Sequence, residues 1–141
     1  MNDKLKPKKM AKKAGIFMLL FFLCVSCGTR EDEAENAKYI GVWEWVSTTG
    51  GISNEKSTPE NTGIARTLTL TENYLYSVTE NGKVVKEGTY RLEDDITDTD
   101  HREKQFLRLV NYHDYIVSEI TDTNMYLADD VADGYSYHYK K

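Results

Sequence analysis

YLYSVTENGKVVKEGTYRL, residues 74–92, decides the fold. Tyr74, Tyr76 and Val78 fall at every second position, and Gly88, Tyr90 and Leu92 do the same beyond Asn81-Gly82. Successive side chains of a strand point to opposite faces, so this period marks a strand with one buried face. Asn-Gly is the dipeptide of a two-residue type I′ turn, because both central residues need positive φ. The stretch predicts a β-hairpin.

The same period runs outward from it. Trp43 and Trp45 share a face in GVWEWVS, as do Leu68 and Leu70 in ARTLTLT. Downstream come Leu107 and Leu109, the YIVSEI run at 115–120, Met125 and Leu127, and Tyr135, Tyr137 and Tyr139 after Asp133-Gly134. Within YIVSEI, Ile116 and Ile120 compete with Tyr115 and Val117 for the inner face, which a bulge would reconcile. Eight short strands result, with no helical period after the leader. Short turns make neighbours antiparallel, and a sheet of eight with one apolar face removes its edges by closing. The expected fold is all-β, a small antiparallel eight-stranded up-and-down barrel, with an open sandwich as the alternative.

Ahead of the strands lies an address. Six lysines and one acid occupy the first thirteen residues, and Ala14 to Val25 carries no charge. That run would span roughly 18 Å as a helix, short of the roughly 30 Å hydrocarbon core, so export and cleavage are favoured over a permanent span. Ser26 is the small residue a cut before Cys27 needs. The stretch Leu23-Cys24-Val25-Ser26-Cys27 resembles the lipobox of bacterial lipoproteins, with Cys24 where that family usually has leucine. The resemblance implies that Cys27 is acylated and becomes the new N-terminus. A disulfide to Cys24 would fall inside the leader, and two cysteines cannot complete a zinc set of four.

Three segments follow: a leader over 1–26, a flexible acidic tether over 27–38 and a barrel domain over 39–141. Glu31-Asp32-Glu33 in the tether resembles the surface-export tag of one phylum of Gram-negative bacteria, while composition alone reads as a solvated linker. The expected location is the bacterial cell envelope, lipid-anchored at the outer membrane, facing either side. Losing the leader, with its six lysines and one acid, moves the formal charge from −5 to −10. Nucleic acid is therefore excluded as a partner class.

Gly41-Val42-Trp43 resembles the G-x-W motif of lipocalins, whose tryptophan closes the barrel floor. Together with Gly50-Gly51, Thr58-Pro59, the Asn-Gly turn and Gly88-Thr89-Tyr90, it is similar to small lipocalin-like lipoproteins of Gram-negative bacteria. The resemblance implies a barrel floor at Gly41 and Trp43. The T-D-Y motif and late-strand arginine of true lipocalins are missing: Thr123 follows Thr121-Asp122, and the chain ends in Lys140-Lys141.

No motif for catalysis appears: His101, His113 and His138 are scattered, and no nucleophile can be paired with a base by spacing. Asp98-Thr99-Asp100 begins like a calcium loop, but Arg102 and Glu103 stand where a ligand and a glycine are required. The protein is expected to be non-enzymatic, with no cofactor and no metal. All ten tyrosines and both tryptophans fall after residue 38. Trp45, Tyr76, Tyr90 and Tyr137 are the ligand-lining candidates, either gripping a small hydrophobic ligand or filling the barrel, since eight strands leave room for side chains or one small ligand. Residues 48–65 read as a long loop, which lids the mouth in lipocalins. Two functions are expected from these features. One is binding of a small apolar or amphipathic ligand; the other is an adaptor or inhibitor that meets another envelope protein through that loop or a strand edge.

Overall fold

The hairpin forms as its residues dictate. Asn81 and Gly82 take φ of 50° and 80°, and Glu80 pairs with Lys83 across them. In the computed structural model, which describes residues 29–141, nine strands follow the chain. They are β1 (Gly41–Gly50), β2 (Glu55–Ser57), β3 (Arg66–Leu70), β4 (Leu75–Glu80), β5 (Lys83–Ile96), β6 (Glu103–Leu109), β7 (His113–Ile120), β8 (Asn124–Ala128) and β9 (Tyr135–Lys140). Every pairing is antiparallel, each long strand lies beside its successor, and β9 returns to β1. The result is a closed eight-stranded up-and-down barrel. The short β2 is an addition to it, pairing with Thr48 to Gly50 of β1.

Closure follows from the alternation. Trp43, Trp45, Leu68, Leu70, Tyr76, Val78, Tyr90, Leu107, Leu109, Met125, Leu127 and Tyr139 form one buried interior cluster. The competition within YIVSEI is resolved by a register shift between Val117 and Glu119. Tyr115 and Val117 pack inward before the shift and Ile120 after it, so one extra residue brings Ile120 to the inner face, while Ile116 stays on the outer one. Two other tyrosines leave the expected alternation. Tyr74 has φ of 58° in the turn before β4 and is half-exposed, because its carbonyl turns to accept the amide of Tyr90 at 2.8 Å. Tyr135 also lies at the surface, over Gly51.

The long loop is more ordered than its composition suggests. Gly50 and Gly51 lie where β1 passes the turn before β9; a Cβ on Gly50 would come 2.4 Å from the carbonyl oxygen of Gly134. Thr58 caps a short helix, α2 (Pro59–Thr62), in a reciprocal box with Asn61, and the Asn61 amide also donates to Lys56 O at 2.8 Å. That bond blunts the edge of β2.

A second helix, α1 (Thr29–Ala37), lies within the stretch read as a tether and corrects the expectation of no helix after the leader. Its sequence, TREDEAENA, has no apolar stripe, so helical periodicity offered no warning. Its last turn is held by the barrel. Asn36 is buried and accepts the Tyr90 hydroxyl at 2.7 Å, and Gln105 donates to Glu35. The leader and Cys27 lie outside the described residues.

Candidate functional site

The six positions singled out by sequence lie on β1, β4, β5 and β9. Trp43 and Tyr90 belong to the floor. The Trp43 indole N–H donates to Tyr39 O at 2.7 Å, and the Lys141 ammonium lies 4.3 Å from the centre of its ring. Gly41, beside Lys141, opens β1 next to it. The Tyr90 hydroxyl is enclosed between Asn36 and the Thr71 carbonyl, 2.8 Å away, and burial pushes its pKa up to about 12.

Trp45, Tyr76 and Tyr137 have partners of their own. The Trp45 N–H donates to Thr48 Oγ1 at 2.9 Å, and the Arg66 guanidinium covers its ring at 5.2 Å. Arg66 is itself paired with Glu80 at 2.6 Å. The Tyr76 hydroxyl donates to Val110 O at 3.0 Å. Tyr137 packs edge-on against Tyr115 and donates to Asp129 at 3.3 Å; burial first, then the Asp129 charge, raises its pKa. The side-chain polar atom of each of these candidates thus has a partner within the protein.

A depression lies on the outer wall. It encloses about 460 Å³ and is lined by Asp95, Ile96 and Asp98, by Phe106, Arg108, His113 and Asp114, and by Asp129, Asp130 and Val131. Two loops build its walls. In the turn between β5 and β6, buried Thr97 donates to the Asp100 carboxylate and accepts the Arg102 amide at 3.1 Å. In the turn between β8 and β9, Asp130 accepts the amides of Asp98 and Thr99 at 2.7 and 3.1 Å, which latches one loop to the other. Burial works against the Asp130 anion, but those two amides and the Thr99 hydroxyl outweigh it and hold its pKa down. Asp100 is lowered to about 2 by the Thr97 hydroxyl and Lys104.

The floor of this groove is apolar because β6 and β7 bury residues on both faces. Phe106 and Ile116 are register partners and are buried although they point away from the interior cluster. Arg108 lies over the Phe106 ring at 4.6 Å and is clamped at 2.6 Å each by Asp95 and Asp114, with Glu93 against its Nε. One guanidinium therefore meets three carboxylates. His113 Nε2 meets Asp129 at 2.7 Å. Ile96 and Val131 remain open to solvent at the rim, 56% and 59% exposed. The arrangement is a mixed trough, in which three apolar side chains sit among a surplus of negative charge.

No sequence motif points to this groove. The available signal is that Phe106-Leu107 and Tyr115-Ile116 are adjacent apolar pairs, and a pair covers both faces where a half-exposed strand needs only one. Asp98 and Asp100 do not converge: among the described residues no three His, Cys, Asp or Glu side chains are placed to hold a metal ion. No family model, curated protein or solved structure matches the chain.

Proposed function

We propose that this is a non-enzymatic, lipid-anchored binding protein of the bacterial cell envelope, related to the small lipocalin-like lipoproteins, that takes a small cationic amphipathic molecule in the outer groove. One observation carries the reading. A trough of about 460 Å³ has Phe106, Ile96 and Val131 beneath or beside five aspartates. Ligand sites of roughly 300 to 1,000 Å³ combine an apolar lining with a few placed polar groups. Arg108 offsets only part of the aspartate charge, so a cation with an alkyl or aromatic body fits and an anion is repelled. The interior is the alternative seat; there the side-chain polar atoms of Trp45, Tyr76, Tyr90 and Tyr137 already have partners within the protein.

Octyltrimethylammonium and octyl sulfate, titrated against isotope-labelled protein, test this. The cation is expected to shift the NMR signals of Ile96, Phe106 and Val131. Val131→Ser is expected to weaken binding about tenfold, the loss of one apolar contact of about 1.4 kcal/mol. Equal binding of the sulfate, or shifts centred on Trp45 and Tyr137, would move the site inside the barrel.

A second reading, an adaptor for another envelope protein, is favoured by one feature. Residues 83–88 of β5 pair with β4 on one side, whereas pairing with β6 begins only at Tyr90. That flank is open, and Val84 and Val85 on it are exposed. A partner strand added there would bond the free backbone groups. Val84→Asp is expected to abolish capture of such a partner, while trimming of Ile52 to Asn54 leaves capture intact; the reverse pattern would assign the contact to the first loop.

A further inference from the structure

We infer that α1 is a strut that fixes the barrel floor toward the bilayer and presents the opposite end away from the lipid. The inference rests on the proposed acylation of Cys27. Its evidence is the way α1 is seated. At its C-terminal end Asn36 is buried against Tyr90, Glu35 meets Gln105, and the Tyr39 amide donates to Asn36 O at 2.9 Å. Directly after it, Lys141 Nζ donates to Lys38 O at 3.1 Å while covering Trp43. First and last segments of the domain are therefore tied together at one end of the barrel.

Covalent geometry does the rest. Only Gly28 separates Cys27 from Thr29. Nine helical residues rise about 13 Å, and the two further links add at most about 7 Å, so Cys27 lies within about 20 Å of the floor. An extended chain over the same residues and links would reach about 40 Å and impose no orientation. The strut cannot sink into the membrane, because its sequence carries Glu31, Asp32, Glu33 and Glu35 with no apolar face. It holds the domain clear of the headgroups.

The far end is marked by Ile52, which is 96% exposed beyond β1, and the floor by Asp122, in the turn whose neighbour Thr123 accepts the Lys141 amide at 3.0 Å. β1 has ten residues, so at about 3.3 Å per residue and a tilt near 40° the two ends differ by about 25 Å in height. Acylated full-length protein carrying a donor dye at Asp122→Cys or Ile52→Cys, in vesicles with an acceptor-labelled headgroup, is expected to show at least twofold stronger energy transfer from position 122. Ten Gly-Ser residues inserted between Gly28 and Thr29 should erase the difference. Flotation separates the two ideas. Protein that floats with vesicles but transfers equally from both sites overturns the strut and leaves the anchor standing. Wild-type protein that stays at the bottom with Cys27→Ser overturns the anchor, and the strut with it.

Discussion

Trp43→Ala is expected to cost about 3–5 kcal/mol of stability, enough to leave a domain of this size barely folded. Its ring is fully buried at the floor, pairs across the sheet with Leu68 and is capped by Lys141. Truncation opens a cavity that rigid strands cannot close, and it also orphans the Tyr39 carbonyl that accepts the indole N–H. The effect should spread to α1, because Tyr39 is the link between the helix and the first strand. Urea unfolding checks it: the midpoint should fall by about 2 M for a slope of 1–3 kcal/mol/M. Trp43→Phe separates the two losses, retaining most of the ring and costing about 1–2 kcal/mol for the unpaired carbonyl. An alanine variant within 1 kcal/mol of wild type would place that ring outside the structural core.

Strand period, turn chemistry and closure were legible because each is written locally. Asn81-Gly82 names its turn type, and Leu68, Leu70, Val78 and Leu109 reveal the inner face by their spacing alone. Even the bulge after Val117 was implicit in two sets of apolar residues that a regular strand cannot bury together. What stayed hidden depends on partners distant in the chain. α1 exists because its end meets Tyr90 and Gln105, residues 54 and 70 positions away from Asn36 and Glu35. The groove depends on Asp130 reaching back to Asp98 and Thr99 from the other side of three strands. Neither contact has a period. Phe106 shows the same limit, since its apolar side chain reads as a fault in the alternation until a loop is seen to cover the outer wall. The aromatic signal, by contrast, was plain, but whether it meant filling or a pocket turned on where each hydroxyl pointed.

That distinction can be drawn in solution by alkaline titration. Burial raises the pKa of Tyr39, Tyr76, Tyr90, Tyr115, Tyr137 and Tyr139, with Tyr90 and Tyr139 each reaching about 12. The folded state keeps these phenols neutral, whereas in the unfolded chain they ionise near pH 10. Above pH 10 the unfolded chain therefore binds fewer protons than the folded one, and stability falls as pH rises toward 12. For Tyr115 and Tyr139, the two most enclosed, the loss is about 1.4 kcal/mol per pH unit each, or about 5 kcal/mol by pH 12, which matches the whole stability of a small domain. These phenols should ionise together with the collapse of the far-ultraviolet dichroism, so the share of the 295 nm absorbance change that these six contribute is expected to have the same midpoint as the dichroism, above pH 10. A hydrated interior would behave otherwise. Water reaching Tyr76 and Tyr137 would let both ionise near pH 10 with the barrel intact, and that result would return the ligand site to the aromatic interior.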